Sequence, residues 1–456
     1  MKKMKKIFAL LIAMVMVLGM STSVFAASIE VKDVIDGETY TAYKVLNYTA
    51  NEDKTAVSYY LTKAEYDTGL GAALVAAGFA FTPSSDGTQY VLNNAKTVDV
   101  ADAASKLAEN ENIASLALKT YTATGASGRA NFGTMDTGYY FVTTTAGSLC
   151  ALHDEADIAT VVEKNTITTP DKKQGTEAGT YADAQLDVNI GDTVYYDAEI
   201  KIGKGANYEI TGTDTLSTGL KLNHADGDIT VKVGDTEVAT TNYTLTATDS
   251  GFTIVFTAAY ISTLAENDVI KIEYSAVITE DIPIRQLTPN TWTIDYSKQH
   301  IDDHTDVKTY DAQVKKIDAT TKEFLDGAGF KLYDAATGGT QITVAKDDTG
   351  YYVSATADEE IMITSADGAN IRGLAPGTYY LEETTVPEGY NKLSERKAFT
   401  VTADATAAVE ISVENNAGSV LPSTGGIGTT IFYIIGAILV VGAGVVLVTR
   451  RRMNAN

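Results

Sequence analysis

The sequence predicts a mainly β protein made of tandem β-sandwiches, with helical insertions in the N-terminal domain and a transmembrane helix near the C-terminus. Short alternating runs rich in Thr, Tyr, Val and Ile, broken by Gly, Asp and Asn, are typical of β-strands joined by turns. Two segments in the first third of the chain are instead rich in Ala and Leu at helical spacing. A long apolar run near the C-terminus predicts the transmembrane helix.

Composition limits both the architecture and the function. The 456 residues leave room for roughly two to four domains between the terminal targeting segments. The net charge of −24 argues against nucleic-acid binding and indicates a soluble, self-repelling surface. Because Cys150 is the single cysteine, no intrachain disulfide is possible. The sequence has no HExxH, GxSxG or phosphate-binding glycine loop, so we expect no enzyme activity, no cofactor and no metal.

The N-terminus predicts a secretory signal peptide over residues 1–26. Met1 to Lys6 is basic, and Ile7 to Met20 is mostly apolar. Small residues before a cut after Ala26 match what signal peptidase reads, so this segment is excluded from the fold.

The first domain, residues 27–167, is predicted to be a β-sandwich or sheet with helical insertions at Lys63 to Gly78 and at Asp99 to Tyr121. The strand sequence YTAYKVLNY places alternate residues on one face, namely Tyr40, Ala42, Lys44, Leu46 and Tyr48. Lys44 is therefore either an amine held among aromatic rings or a side chain that extends from a strand edge to solvent. Thr166 to Pro170 predicts a linker.

Two further sandwiches follow, at residues 168–307 and 308–418. Strands of the middle domain alternate cleanly, with inward positions at Val194, Tyr196, Ala198, Ile200 and Ile202 and at Ile270, Ile272, Tyr274, Ala276 and Ile278. The third domain opens on the strand sequence VKKID and closes on Val409 to Asn415. His300 and His304 flank two aspartates, where we expect a solvated interdomain loop rather than a metal site.

Residues 419–456 combine a short peptide, an apolar span and a basic tail. The peptide is Leu421, Pro422, Ser423, Thr424 and Gly425; the span runs over residues 427–449, and three arginines follow it. As a helix, the span reaches roughly 34 Å, enough to cross a bilayer, and the arginines hold the tail in the cytoplasm. The order resembles the cell-wall sorting signal of Gram-positive surface proteins. That resemblance implies cleavage between Thr424 and Gly425 by a sortase cysteine, and a secreted, wall-anchored protein.

In the third domain, the sequence YYLEETTVPEGY at residues 379–390 resembles the E-box of Gram-positive pilins and Cna B-type domains. Strand alternation places Glu383 and Asn415 on inward faces, and Lys316 shares a face with Val314. Left unpaired, these three side chains would cost several kcal/mol in an apolar core. The resemblance implies that the Lys316 amine attacks the Asn415 side-chain carbonyl with the help of Glu383. Ammonia would leave and an isopeptide bond would remain.

The middle domain resembles the isopeptide-forming middle domain of fimbrial backbone subunits. The segments YEITGTDTLSTGL and NTWTIDY place Asp214 and Asn290 on inward faces, with Asn290 opening the last strand. The lysine is Lys172 or Lys173, of which we favour Lys172. In the first domain, Lys44 could pair with Asn165, with Asp136 as the acid.

The end of the first domain, VVEKN, resembles the pilin motif of backbone pilins, with Val162 and Glu163 where tyrosine and proline are usual. The resemblance implies that Lys164 attacks the sortase-bound threonine of the next subunit; Lys172 and Lys173 are rivals. If Asn165 points inward, alternation points Lys164 outward.

The whole chain resembles a sortase-assembled major, or backbone, pilin with immunoglobulin-like and Cna B-type (prealbumin-like) domains. The resemblance implies a structural subunit that supports adhesion and occurs on the cell surface as a fimbrium. Its partners would be a class C-type pilin sortase, a housekeeping sortase, other copies of itself and peptidoglycan, with minor pilins and host ligands as further candidates. The alternatives are a monomeric wall-anchored adhesin and an accessory pilin at the tip or base.

Overall fold

The computed structural model describes residues 28–51, 56–93, 95, 97–155, 158–418 and 428–453, which form two compact units. The first unit holds the chain up to residue 311 with 372–376 and 403–407. The second holds 312–371, 377–402 and the chain from 408 onward. The predicted signal peptide and the peptide Leu421 to Gly425 lie outside the described residues.

The N-terminal region forms two sheets with short helices between their strands. Its strands are β1 (Ser28–Lys32), β2 (Thr39–Ala50), β3 (Val57–Thr62), β4 (Phe81–Pro83), β5 (Gln89–Leu92), β6 (Lys119–Thr124), β7 (Arg129–Asn131), β8 (Gly138–Thr144), β9 (Gly147–Glu155) and β10 (Ile158–Val162). One sheet has the order β10-β1-β7 and the other β4-β5-β3-β2-β8-β9, with β6 also paired to β2.

The helical insertions of this region are shorter than the sequence predicted. Helices α1 (Lys63–Glu65) and α2 (Gly71–Ala76) are joined by a π-helical turn (Tyr66–Leu70), and α3 (Val100–Ala108) and α4 (Ile113–Leu116) follow. The second predicted helix extended to Tyr121, but the chain enters β6 at Lys119, where it pairs with β2. Pairing with a neighbouring strand therefore overrides the local Ala-rich spacing.

Strand β2 does not keep the simple alternation predicted through Tyr48. The pairing of β2 with β8 shifts by one residue between Lys44 and Leu46. The side chains after this bulge therefore point to the opposite face from the one that simple alternation predicts. Before the shift, Tyr40 and Ala42 pack in one core; after it, Val45 and Leu46 both pack in a second core. Lys44, which directly precedes the shift, is half-buried.

The middle region is a two-sheet sandwich. Its strands are β11 (Thr169–Glu177), β12 (Thr180–Ala182), β13 (Leu186–Asp187), β14 (Thr193–Lys201), β15 (Ile210–Leu216), β16 (Leu220–Leu222), β17 (Thr230–Val233), β18 (Thr236–Glu237), β19 (Tyr243–Thr248), β20 (Gly251–Phe256), β21 (Val269–Ile278), β22 (Thr288–Tyr296) and β23 (Gln299–Lys308). A 3₁₀ turn (Thr240–Asn242) and helix α5 (Ala258–Ile261) also occur here. The sheet orders are β12-β11-β14-β21-β17-β18, with β16 on β21, and β13-β23-β22-β15-β20-β19.

The inward rows predicted for β14 and β21 are buried as expected. Two details differ from the prediction. Asn290 lies on β22, and β23 follows as a further strand, so Asn290 does not open the last one. His300 and His304 lie on β23 rather than in a loop, because this segment pairs with β22 over its whole length. Among the described residues, no cluster of His, Cys, Asp and Glu is arranged to hold a metal ion.

The third domain is a second two-sheet sandwich. Its strands are β24 (Tyr310–Asp318), β25 (Ala328–Tyr333), β26 (Gln341–Ile342), β27 (Val344–Asp347), β28 (Gly350–Val353), β29 (Ile361–Ile363), β30 (Ala369–Leu374), β31 (Gly377–Thr385), β32 (Lys397–Val401) and β33 (Val409–Asn415). The sheet orders are β27-β28-β30-β24-β33 and β26-β25-β31-β32, with β29 on β25.

The chain continues into helix α6 (Gly428–Met453). Its stretch Ile431–Met453 has 23 residues and contains an 18-residue window with a mean hydropathy of 2.8, so it is long and apolar enough to cross a membrane. The mainly β architecture with a C-terminal apolar helix confirms the predicted fold class.

Candidate cross-linking and assembly sites

In the third domain, three buried polar side chains from the two sheets meet in the core. Lys316 lies on β24, Asn415 on β33 and Glu383 on β31, and each is at most 1% exposed. Nζ of Lys316 donates to Oδ1 of Asn415 at 2.5 Å and lies 3.3 Å from Oε1 of Glu383. Nδ2 of Asn415 donates to the same Oε1 at 2.8 Å. The structure thus brings together the three residues that the sequence singled out.

Strand register explains why these side chains meet. Strands β24 and β33 run parallel, with Lys316 opposite Val413 and Asp318 opposite Asn415. Lys316 and Asn415 therefore occupy successive inward positions on neighbouring strands. Glu383 occupies an inward position of β31, in the sheet that faces them. The sequence could only assume that the opening and closing strands are neighbours, and the structure confirms it.

Burial sets the proton chemistry of this site. Loss of water lowers the pKa of the Lys316 ammonium, and the Glu383 carboxylate opposes that shift. The other Glu383 oxygen, Oε2, accepts a hydrogen bond from the backbone N–H of Leu393 at 2.8 Å. An amine that loses its proton readily is a nucleophile, and Glu383 contacts both the amine and the amide nitrogen. The geometry therefore suits attack by Lys316 on the Asn415 side chain.

The turn after β31 ties the site to the end of the opening strand. Tyr390 donates to Oδ2 of Asp318 at 2.9 Å, and Asp318 is the residue that pairs with Asn415 across the strands. Gly389 has a φ of 85°, which an L side chain rarely adopts, so the E-box glycine is required by the turn itself. Backbone N–H groups of Thr321 and Thr320 hold the pKa of Asp318 below its usual value.

The middle domain contains a second buried set. Lys172 on β11, Asp214 on β15 and Asn290 on β22 are each at most 2% exposed. Nζ of Lys172 hydrogen-bonds Oδ2 of Asp214. The lysine comes from one sheet, and the acid and the amide come from the facing sheet. The three residues chosen from sequence therefore lie in one site.

Tyr274 on β21 belongs to the same site, although the sequence analysis assigned it no role. Its hydroxyl hydrogen-bonds Nζ of Lys172, donates to Oδ2 of Asp214 at 2.5 Å and accepts from Nδ2 of Asn290 at 3.1 Å. The signal was present in the sequence, because Tyr274 interrupts an inward row of isoleucine and alanine. A buried hydroxyl in such a row needs a hydrogen-bond partner.

Burial shifts each titratable group of this set. It lowers the pKa of Lys172 against the attraction of Asp214, and it raises the pKa of Asp214 against the attraction of Lys172. Oδ1 of Asp214 and Oδ1 of Asn290 are buried without a hydrogen-bond partner among the described residues. Burial therefore opposes the ion pair at this site, and a proton on Asp214 would supply one of the missing donors.

Lys173, the alternative that the sequence left open, faces away from this site. Its side chain is 29% exposed and forms ion pairs with Asp171 at 2.7 Å and Glu199 at 3.1 Å. Partial burial would lower its pKa, but the hydrogen bonds to these two carboxylates raise it. A lysine that keeps its proton is a poor nucleophile, so Lys172 is the better placed of the two to act as one.

In the first domain, the structure does not bring Lys44 and Asn165 together. Cε of Lys44 lies against Gly138, where a Cβ atom would be 2.6 Å from it. Oδ1 of Asn165 lies against Gly147, where a Cβ atom would be 2.5 Å from it. Gly138 begins β8 and Gly147 pairs with its last residue, Thr144, so the two side chains lie at ends of a strand about 20 Å long. No contact between described residues joins them.

Asn165 instead bonds within its own loop, where Nδ2 donates to Oε1 of Glu163 at 2.7 Å. Asp136, the suggested acid, is exposed and pairs with Lys119 at 3.0 Å. We therefore do not propose an internal bond from Lys44.

Comparisons with known proteins identify the third domain and the C-terminal segment. Residues 310–417 match the SpaA family of prealbumin-like fold domains, and residues 413–455 match the LPXTG cell wall anchor motif. This is a cell-wall-anchored surface protein. No curated protein sequence matches the chain significantly.

The fold of this wall-anchored protein is similar to that of a solved pilin. The T6 backbone pilin of Streptococcus pyogenes, described as a modular three-domain structure, aligns with a TM-score of 0.55 at 17% identity. The alignment covers 84% of this chain and 81% of that one. The full-length major pilin SpaD of Corynebacterium diphtheriae aligns at 17% identity over 86% of this chain and 98% of that one, with a TM-score of 0.49. The first of these likenesses places the wall-anchored protein in the backbone-pilin fold.

Lys164 of the wall-anchored protein lies in the segment between β10 and β11. Its side chain is exposed, whereas the neighbouring Asn165 is 5% exposed. Oε1 of Glu163 accepts hydrogen bonds from the backbone N–H groups of Lys164 and Asn165 at 2.8 and 2.9 Å. Glu163 therefore holds this loop in a conformation that presents the Lys164 amine to solvent.

Proposed function

We propose that the protein is a structural subunit of a covalent surface pilus. Sortases polymerise it and anchor it to the cell wall, and two internal Lys–Asn isopeptide bonds stiffen it. It performs no catalytic turnover, because its chemistry on itself occurs once for each bond. In this proposal the mature chain has an N-terminal domain at 27–167, a middle isopeptide domain at 168–307 and a prealbumin-like domain at 308–418. The sorting signal follows at 419–456.

The observation that carries the proposal is the pair of buried sites, each with a lysine, an asparagine and an acid. In the third domain, Nζ of Lys316 bonds to Cγ of Asn415, and the Cγ–Nδ2 bond breaks. Nζ loses two protons, one of which leaves with nitrogen as ammonia while the other passes to Glu383. Lys172, Asn290 and Asp214 undergo the same exchange in the middle domain. A merely structural ion pair would not need a buried amide beside it, and both sites have one.

The positions of these bonds suit a fibre under tension. In the third domain, Lys316 lies on the first strand and Asn415 on the last one. A covalent bond between them carries force from one end of the domain to the other without loading the chain in between. Because the chain has a single cysteine, no intrachain disulfide can play this part.

Polymerisation needs an exposed amine and a sortase-bound threonine. Lys164 supplies the amine, since it is exposed and no carboxylate of the described residues forms an ion pair with it. A pilin sortase of class C type would hold Thr424 as an acyl-enzyme and transfer it to Lys164 of the next copy. A contact that joins different surfaces of identical subunits does not close, so it produces a fibre. A housekeeping sortase would transfer the last subunit to peptidoglycan. The finished fibre would support adhesion, with minor pilins and host ligands as further partners.

Electrophoresis of wall extracts in sodium dodecyl sulfate tests the function. A backbone pilin produced with its sortases gives a ladder of high-mass bands that survives boiling. A single band of monomer mass would instead support the adhesin, and a monomer found only on ladders built by another protein would support the accessory pilin.

A further inference from the structure

We propose that Tyr274 is a catalytic residue of the middle-domain cross-linking reaction, whose hydroxyl passes a proton from Asp214 to the departing nitrogen of Asn290. The inference rests on the proposed function, because it concerns the internal bond between Lys172 and Asn290. It adds a fourth participant to a site for which the sequence predicted three.

A comparison of the two sites shows what the hydroxyl contributes. In the third domain, Oε1 of Glu383 itself accepts the hydrogen bond from the amide nitrogen of Asn415 at 2.8 Å. In the middle domain, the amide nitrogen of Asn290 instead donates to the Tyr274 hydroxyl, which in turn donates to Asp214. Aspartate is one methylene shorter than glutamate, and the tyrosine oxygen fills the resulting gap.

The aromatic neighbours of the two lysines differ accordingly. Nζ of Lys172 lies 5.1 Å from the ring centre of Tyr274, and Nζ of Lys316 lies 5.7 Å from that of Phe330. Both rings shield the amine from water, but only the ring in the aspartate site has a hydroxyl. The tyrosine therefore provides more than apolar packing at its site.

The proton transfers balance with this hydroxyl in place. Lys172 first passes one proton to Asp214, which leaves a neutral amine and a carboxylic acid. Nζ then bonds to Cγ of Asn290, and Nδ2 becomes tetrahedral with a free lone pair. Tyr274 donates its hydroxyl proton to Nδ2 and is reprotonated by Asp214. The Cγ–Nδ2 bond breaks, ammonia leaves, and Nζ passes its second excess proton to Asp214.

The surroundings of Tyr274 keep its hydroxyl protonated. Burial, reinforced by the charge of Asp214, raises the pKa of Tyr274 well above its usual value. Its ring is fixed by stacking on Tyr196, with centroids 5.2 Å apart, and by an edge contact with Phe252 at 5.0 Å. The hydroxyl is thus a positioned donor rather than a competing anion.

The test replaces Tyr274 by phenylalanine in the full chain, produced in a host without sortase and extracted in detergent. This change keeps the ring and removes one oxygen. Pulse-labelled chains are digested at successive times, and mass spectrometry follows the branched peptide that joins Lys172 to Asn290 with the loss of one ammonia. We expect this peptide to form roughly 10²- to 10⁴-fold more slowly in Y274F, and the peptide joining Lys316 to Asn415 to form at the wild-type rate.

Tyr196→Phe is the matched control, because Tyr196 also lies beside the amine, with Nζ of Lys172 5.2 Å from its ring centre. Unlike the hydroxyl of Tyr274, its buried hydroxyl forms no hydrogen bond to Lys172 or Asp214 in the described part of the chain. Packing is checked by thermal unfolding of D214A with and without Y274F, where no middle-domain bond forms in either case. Equal melting temperatures of D214A with and without Y274F would show that removal of the hydroxyl does not disturb the packing. A slower reaction in Y274F would then be an effect on the chemical step.

Three results would overturn the inference. Formation of the Lys172–Asn290 peptide at the wild-type rate in Y274F would exclude a catalytic role. Equal slowing by Y196F would assign the effect to packing. Absence of this peptide from the wild type would show that the middle-domain cross-link does not form. Its presence in the wild type and its absence from D214A would support the proposed function, whatever the result for Y274F.

Discussion

Lys316 donates a hydrogen bond to Asn415 in the core of the third domain, although the two residues lie 99 positions apart in the chain. The parallel pairing of β24 with β33 places them on adjacent strands, and Glu383 contacts both from the facing sheet. Lysine, amide and acid are thus assembled by the closing of the sandwich. The reaction that we propose becomes possible only when folding is complete.

Glu383→Ala should prevent the third-domain bond, because no carboxyl group then takes the proton from Lys316. The intact mass of E383A should fall short of the mass calculated from its own sequence by one ammonia fewer than the wild type does. Loss of the cross-link should lower the free energy of unfolding by about 4–5 kcal/mol, the loop-closure value for a loop of this length. The matched control is Glu382→Ala on the same strand, whose carboxylate is 40% exposed and pairs with Arg396. A full complement of ammonia losses in E383A would contradict the assignment.

Lys172→Met should abolish the middle-domain bond, whereas Lys173→Met should leave it intact. The reason is geometric, since Lys172 contacts Asp214 in the core and Lys173 pairs with Asp171 and Glu199 at the surface. Peptide mapping of both variants checks the expectation. A branched peptide that persists in K172M and disappears from K173M would reverse the choice of lysine.

Force should extend the two cross-linked domains differently. In the third domain the bond joins the first and last strands, so we expect no extension. In the middle domain, Asn290 lies on β22 and the hairpin partner β23 follows it outside the cross-linked loop. Pulling should therefore release this hairpin by roughly 50 Å and no more.

Single-molecule stretching measures both extensions. In Asp214→Ala the middle domain should unravel completely, by on the order of 400 Å. Complete unravelling of the wild-type middle domain would speak against its bond.

Thr424→Ala should leave the protein in the membrane and the culture medium, because sortase needs the threonyl carbonyl for its acyl-enzyme. Fractionation of wall and membrane measures this directly. Ser423→Ala is a suitable control, since it changes the variable position of the LPXTG motif. Unchanged wall attachment of T424A would refute the sorting signal.

Lys164→Ala should abolish the high-mass ladder and leave monomer attached to the wall. The exposed amine at this position is the one that we propose for the intersubunit bond, and Glu163 bonds the backbone that presents it. Lys173→Ala should leave the ladder unchanged. A ladder that survives K164A and is lost in K173A would move the assembly site while retaining the pilin function.

The local sequence was sufficient to predict those features that depend only on residues close together in the chain. Alternation along single strands predicted that Glu383, Asp214 and Asn290 point inward, because strand geometry repeats every two residues. The order of LPSTG, apolar span and arginines predicted the wall anchor, because the motif, the length of the span and the charges that define it lie together in the chain. The resemblance to pilin domains supplied the pairing of Lys316 with Asn415.

Tertiary structure decided what depends on which strands become neighbours. The pairing of β2 with β8 places Lys44 at one end of β8 and leaves Asn165 at the other, and strand pairing converts the end of a predicted helix into β6. It also selected Lys172 over Lys173 and brought Tyr274 from β21 to the amide of Asn290 on β22. These relationships arise from the packing of one sheet on another, over separations of many residues, and a periodicity of two along one strand carries no information about the strand that faces it.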